Sequence, residues 1–239
     1  MKNIPIILIV ILCFSMPISA QWTSFELDNI DSEQFPKQVE PFLKAVSLSL
    51  NRHFFIPTNV NKRMSIGISY SQGLNITEEN YSTDLIGGYP NLSGIIVVTQ
   101  NLSLKGNLSI FKSGNDIVQS FAYGFGLNLT NKEKNNWRLS ALSSRLQGPD
   151  DLKNRSIEAA IIKEFEIKSI PIFVGAGLNT YNTKILIEDI DLTSKKIKGN
   201  ANHLLLGIQL LKGRFNIVPV LQVNSDVIIF SIEIAGVFK

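Results

Sequence analysis

The amino-acid sequence predicts an all-β fold, an antiparallel transmembrane β-barrel of about ten strands, eight being possible, preceded by a short amphipathic helix. Three observations carry this reading. Bulky apolar residues alternate with small or polar ones at period two from Met64 to Phe238. No stretch in that region is apolar for the ~20 uninterrupted residues that a spanning helix needs, so a membrane-integral state requires strands. The non-bulky face carries Gly67, Gly124, Gly126, Gly175, Gly177 and Gly207 among many serines, which suits a crowded lumen better than a solvated surface. At 239 residues, 44% hydrophobic, the chain is long enough for one domain or one barrel.

Residues 1–20 read as an export signal: Lys2, then the apolar "IPIILIVILCFSM", then "ISA" ahead of Gln21. Cys13, the sole cysteine, lies in that segment; Leu12 before it is larger than the small residue that lipid-linked cleavage wants. The chain from Gln21 is cysteine-free, so disulfides play no part in it even where an export compartment permits them. Residues 21–62 form a lead-in and a helix that is periplasmic or plugs the barrel, and residues 63–239 form the barrel itself. Net charge is +3, from 23 basic and 20 acidic residues, with no basic tract long enough to follow a nucleic-acid backbone.

In "EPFLKAVSLSLNRHF", Pro41 suits a first helical turn, and Phe42, Leu43, Val46 and Leu50 share a face. That face either packs on the rest of the fold or lies on a membrane surface. The strands follow. Met64, Ile66, Ile68 and Tyr70 oppose Ser65, Gly67, Ser69 and Ser71, and Phe121, Tyr123, Phe125, Leu127 and Leu129 oppose Ser120, Ala122, Gly124, Gly126 and Asn128. Ile157, Ala159, Ile161, Phe165 and Ile167 oppose Ser156, Glu158, Glu164 and Glu166; Lys163 falls among the apolar set, either snorkelling or marking a bulge. Leu204, Leu206, Ile208 and Leu210 oppose His203, Gly207 and Gln209, while Phe215, Ile217, Leu221 and Val223 share a face. The predicted spans are 63–72, 93–104, 107–112, 117–130, 136–147, 155–167, 170–186, 199–211, 214–224 and 227–238.

The Lys-Gly pairs of "SLKGNLSI" and "LLKGRFNI" read as tight hairpin turns, with further short connections at Lys168-Ser169 and at "NKEKN". Longer polar loops occupy 73–91, 147–154 and 188–200. An even strand count returns both barrel ends to one side, with the Lys-Gly turns periplasmic and the long loops outside. The competing reading is a soluble exported barrel, bulky face inward, that binds an apolar ligand.

Catalytic candidates are few. His203 faces the lumen in the barrel reading and would need a serine or aspartate across it to act as a hydrolase; the alternative is a structural or pore-lining histidine. His53 reads as a cation near a helix C-terminus. Glu158, Glu164, Glu166, Arg214 and Glu233, with Arg138, read as lumen charges that either pair to fill a narrow barrel or stay wet in a selective pore. "EDIDL" lacks the spacing of a calcium loop. Seven Asn-x-Ser/Thr sites, several inside strands, follow from an asparagine- and serine-rich chain. No zinc-ligand spacing and no phosphate-binding loop occur, so the sequence points to no cofactor and to no enzyme.

The last strand reaches Phe238, one residue from the end, and in this is similar to the C-terminal strand of outer-membrane barrels, although Lys239 departs from that pattern. More broadly, "VEPFLKAVSLSLNRHFF" leading into "KRMSIGISYSQG", with the hairpins after it, resembles an uncharacterised family of exported bacterial outer-membrane barrel proteins with a helix before the first strand. The resemblance spans residues 33–239. It implies a membrane barrel and supplies no catalytic residues. The alternation from Met64 to Phe238 behind an export signal leads to the expectation of a cell outer-membrane protein with a structural or passive-transport role, whose partners are the lipid bilayer, the barrel-insertion machinery through the C-terminal strand, and a small solute or lipid.

Overall fold

In the computed structural model, which describes residues 23–25, 27, 35–53, 63–76, 88–130, 135–187, 196–210 and 215–238, the chain from Met64 onward closes into one antiparallel sheet. The strands are β1 (Met64–Asn75), β2 (Gly88–Val97), β3 (Leu102–Ser113), β4 (Asp116–Asn128), β5 (Asn135–Gln147) and β6 (Leu152–Ile167). They continue with β7 (Ile170–Ile185), β8 (Lys196–Asn200), β9 (His203–Ile208), β10 (Phe215–Val223) and β11 (Val227–Phe238). Sequential strands pair, β8 and β9 lying end to end along β7 as one interrupted strand. β11 then pairs with β1 from Met64↔Phe238 to Asn75↔Val227, closing a ring of ten in which β8 alone is paired on one side only among the described residues.

The period-two pattern decides which face points where. Ile68, Ile110, Tyr123, Ile157, Leu178 and Leu204, each at least 60% exposed, lie on the outer wall, while Ser65, Ser71, Ser93, Ser120, Ser156 and Ser231 are buried inside. The bulky set therefore does not line a cavity for an apolar ligand, as the soluble reading required. Lys163 follows the outward phase without a bulge, since its register with Trp137 and Val174 is unbroken, and its ammonium lies 5.3 Å from the Trp137 ring centroid.

One end of the barrel, the terminal end, holds Met64, Phe238 and the described connections at 98–101 and 168–169. The opposite, distal end holds those at 114–115, 148–151 and 224–226. Lys168 and Ser169 both adopt positive φ, 49° and 69°, as a two-residue hairpin matched to strand twist demands. The other expected turns fare differently. Lys105-Gly106 is no turn: it lies inside β3, because Ser103, Lys105, Asn107 and Ser109 keep one inward phase through it, and the chain reverses at 98–101, where Thr99 Oγ1 accepts from the Asn101 and Leu102 amides. The Lys-Gly pair at 212–213 and most of "NKEKN" lie outside the described residues. β2 begins at Gly88, earlier than the alternation suggested, because Tyr89 on its inner face is apolar.

The helix α1 (Phe35–Leu50) stands inside the ring, packed against β1, β4 to β8 and β11. It starts earlier than expected, so Pro36 occupies the first turn and Pro41 lies within the helix, where it removes one backbone hydrogen bond. Enclosure also overrides amphipathicity. From Ala45 to Leu50 every residue is buried, Ser47 and Ser49 with the leucines, because wall surrounds this half of the helix.

Candidate functional site

Three layers divide the space inside the barrel. At the distal end Phe25, Leu27, Phe42, Leu43 and Leu50 pack against inward Tyr89, Phe111, Leu146, Tyr181 and Ile229 of the wall. Phe25 meets Phe42 edge-on with centroids 5.7 Å apart, and Tyr89 meets Phe111 likewise at 5.2 Å. Toward the terminal end Ala160, Ile162, Phe173, Leu205, Val218 and Val220 form a second apolar cluster. Between the two lies a polar layer into which the end of α1 delivers Arg52 and His53.

The N-terminal segment crosses this space from the distal end. Thr23 donates through its amide and hydroxyl to Gly88 O, Ser113 donates to Thr23 O at 2.7 Å, and the Leu27 amide donates to Asp151 at 2.7 Å. At the same rim Lys44 bridges Asp226 and, at 2.8 Å, Glu40. Burial alone would lower the Lys44 ammonium, but its bonds to Asp226 and Glu40 outweigh burial and hold it above its ordinary value. Deeper in, Ser47 donates to Asn179 at 2.5 Å and Asn51 to Ser156 at 2.7 Å. Apart from the Lys44–Glu40 pair within α1, these contacts join the segment to strands or distal connections of the barrel remote from it in sequence.

His53 and Glu158 form the central contact. His53, 1% exposed, donates Nε2–H to Oε1 of Glu158, which is 0% exposed, while Asn179 donates to Oε2 at 2.8 Å. His203 stands across from them, with Nε2 3.6 Å from the same Oε1. Its ring lies where the Cβ of any residue but glycine at 177 would come within 2.3 Å of it, so Gly177 makes the room. Nδ1–H of His203 donates to Ala201 O and Gln222 donates to Nε2, both at 3.3 Å.

The other charges complete the layer. Arg52 donates to Ser71 at 2.8 Å and takes Asn107 on its carbonyl, while Lys105 donates to Ser140 at 3.0 Å. Glu233, 1% exposed, is close enough for its charge to act on both Arg52 and Lys105. Two cations thus offset two carboxylates, as buried charge requires.

Of the residues singled out by sequence, Glu158, His203 and Glu233 meet in this layer. Glu164, 3.5 Å from Arg138, and Glu166 sit apart near the terminal mouth, and Arg214 lies outside the described residues. Alternation placed the strand residues but could not find Arg52, whose position depends on a helix descending the lumen. Lys105 was legible from the unbroken inward phase of β3, and the Lys-Gly signal obscured it.

The chemistry open to this arrangement is limited by its partners. His203 is bonded to no serine hydroxyl among the described residues, so the serine–histidine pair of a hydrolase is not formed there. His53, Glu158 and His203 each bring a ligand atom within 4.8 Å of the others, a donor set a divalent ion would accept. Against an ion, Gln222 already occupies the His203 lone pair and the Lys105 charge acts on both His53 and Glu158. What the arrangement does satisfy is the Glu158 carboxylate, by His53 and Asn179, and the His203 ring, by Ala201 and Gln222.

No protein-family model matches the chain, and no curated protein does. Solved structures similar to it are bacterial outer-membrane barrels. The attachment invasion locus protein Ail of Yersinia pestis is 13% identical, with 74% of this chain and 97% of that one covered at a TM-score of 0.29. The translocator domain of autotransporter NalP from Neisseria meningitidis is 9% identical over 87% and 97% at 0.40, and the transport unit of AIDA-I from Escherichia coli is 13% identical over 85% and 99% at 0.38. Nothing rests on likenesses this distant; the barrel follows from its own strand pairing.

Proposed function

We propose that the chain is an outer-membrane β-barrel whose lumen is closed by its own N-terminal segment, with a structural role as a sealed membrane-embedded body. One observation carries the reading: an apolar outer wall surrounds a polar interior already filled by α1. On β6 the outward belt from Ile157 to Ile167 is ten residue steps, about 33 Å along the strand and roughly 25 Å high at a ~40° tilt. That height matches the apolar band of such barrels. Such a surface in water would far exceed the apolar patches that soluble proteins tolerate.

An export signal over residues 1–20 would deliver the chain, and the resemblance of residues 33–239 to exported barrel proteins with a leading helix belongs to the same reading. With the strand termini on the periplasmic side, Thr23, Phe25 and Leu27 sit toward the outer face and α1 carries Arg52 and His53 down into the lumen. Passive transport would require this plug to move, which its bonds to Asn179, Ser156, Glu158 and Ser71 oppose.

The test uses the chain from Gln21 folded into phosphatidylcholine vesicles. It should migrate faster unheated than boiled and carry no steady current in a planar bilayer. A protein freely soluble without detergent overturns the membrane reading, and a steady open-pore current overturns the sealed one.

A further inference from the structure

The outer wall carries charge of one sign. Among the described residues, no outward position of any strand holds an aspartate or glutamate, whereas the distal ends of four neighbouring strands hold six cations. Strand register sets them in two rows. Arg145↔Arg155, Arg155↔Asn182 and Asn182↔Lys198 make the first; Lys153↔Lys184 and Lys184↔Lys196 make the second, one outward position farther from the membrane belt. Four strands about 4.8 Å apart make a patch roughly 15 Å wide. Like charges directly opposite on a sheet oppose its pairing, and Arg145, Lys153, Arg155, Lys184 and Lys198 form no ion pair with a described residue.

The position of the rows identifies what would neutralise them. β6 and β7, at 16 residues, exceed the ~9–11 needed to cross a bilayer, and the cations occupy the excess at the distal end. The next outward row holds Ser143, Ile157, Thr180 and Asn200, and below it come Leu178, then Ile161 and Leu204, with Ile157 and Leu178 66% and 67% exposed. A ligand here meets fixed cations first, then a row of mostly hydroxyl and amide groups, then apolar chains. We infer that Arg145, Lys153, Arg155, Lys184 and Lys198 form a docking surface for the phosphorylated headgroup of a glycolipid in the outer leaflet, its acyl chains lying along Ile157, Leu178 and Leu204. Arginine and lysine both bind phosphate oxygens strongly, arginine in bidentate fashion. This rests on the membrane-spanning reading and not on the closed lumen.

The experiment compares the chain from Gln21 with an Arg145→Gln/Lys153→Gln/Arg155→Gln/Lys184→Gln variant, both folded into phosphatidylcholine vesicles doped with bisphosphorylated lipid A or with its dephosphorylated form. Heat-modifiable migration is read first: failure of the unsubstituted chain to insert removes the membrane reading and this proposal with it. Lipid retained after detergent extraction is read second. The unsubstituted chain should hold phosphorylated lipid at least about tenfold more tightly than the variant. It should hold the dephosphorylated form no better than the variant does, and keep the phosphorylated one against millimolar inorganic phosphate. A Lys153→Arg/Lys184→Arg variant should retain the lipid. Equal retention by the glutamine variant when both chains insert, or displacement by inorganic phosphate, overturns the docking surface and leaves the membrane reading standing.

Discussion

On β6, Glu158 and Ile157 are neighbours in the chain, one 0% exposed inside the barrel and the other 66% exposed outside it. The inner face admits charge of both signs, each near a counter-charge: Glu158 with Lys105, Glu233 with Arg52 and Lys105, Glu164 with Arg138. The outer face admits cations alone, among them two rows at its distal end and, within the belt, Lys163 against the Trp137 ring. Ligation explains the contrast. Inside, a charge is satisfied by protein groups and its partner must be present in the fold; outside, the available counter-charge belongs to the surroundings.

The largest expected effect comes from breaking an inner pair. Glu158→Ala leaves His53 and Asn179 without their acceptor and Lys105 without one of its two counter-charges, and should destabilise the barrel by about 3–5 kcal/mol. Urea unfolding in vesicles measures it. Because the penalty is that of an orphaned partner, Glu158→Leu combined with His53→Leu should recover much of the loss; a double variant as damaged as the sum of its singles would refute pairing as the cause.

Second in size is the reverse change on the outer wall. Ile161→Arg puts a cation at mid-belt, where it should cost about 2–4 kcal/mol, whereas Lys184→Ile at the distal edge should change stability by under about 1 kcal/mol. Equal effects at the two positions would mean that no membrane belt exists between them.

How much of this could be read beforehand follows from period two. Alternation sorts the residues it names on β1, β4, β6 and β9 into the two faces that the barrel shows, since a one-residue slip would turn the whole set over, but it does not say which face is the outer one. It loses force at the distal end, where Tyr89, Phe111, Leu146, Tyr181 and Ile229 make both faces apolar in order to enclose α1. It is silent on the plug. His53 and Glu158 are 105 residues apart, and no local pattern states the depth to which a helix enters a barrel. Lys105-Gly106 shows the opposite failure, in which a familiar turn dipeptide outweighed a phase that ran straight through it.

A third change tests how tightly the inner layer is built. Gly177→Ala would place a Cβ 2.3 Å from the His203 ring and force the imidazole away from Gln222 and Glu158. The expected loss is about 1–3 kcal/mol. A histidine NMR shift at His203, with the His53 resonance nearly unmoved, would locate the change; no loss of stability would mean that the layer yields more readily than its packing implies.

The smallest effect belongs to Lys163, the one outward cation within the belt of β6. Its ammonium faces the Trp137 ring rather than a carboxylate, and the aliphatic stem lies on an apolar wall. Lys163→Met keeps the stem and removes only the cation–π contact, about 0.5–1 kcal/mol at an exposed site. Replacing the inner lysine, Lys105→Met, withdraws a counter-charge from Glu233 and Glu158 and should cost more. The difference between the two lysine variants, measured by urea unfolding with Trp137 emission reporting on the outer site, isolates what a face adds to a charge. A Lys163→Met loss as large as that of Lys105→Met would show that the outer cation is held by the fold itself and not by its surroundings.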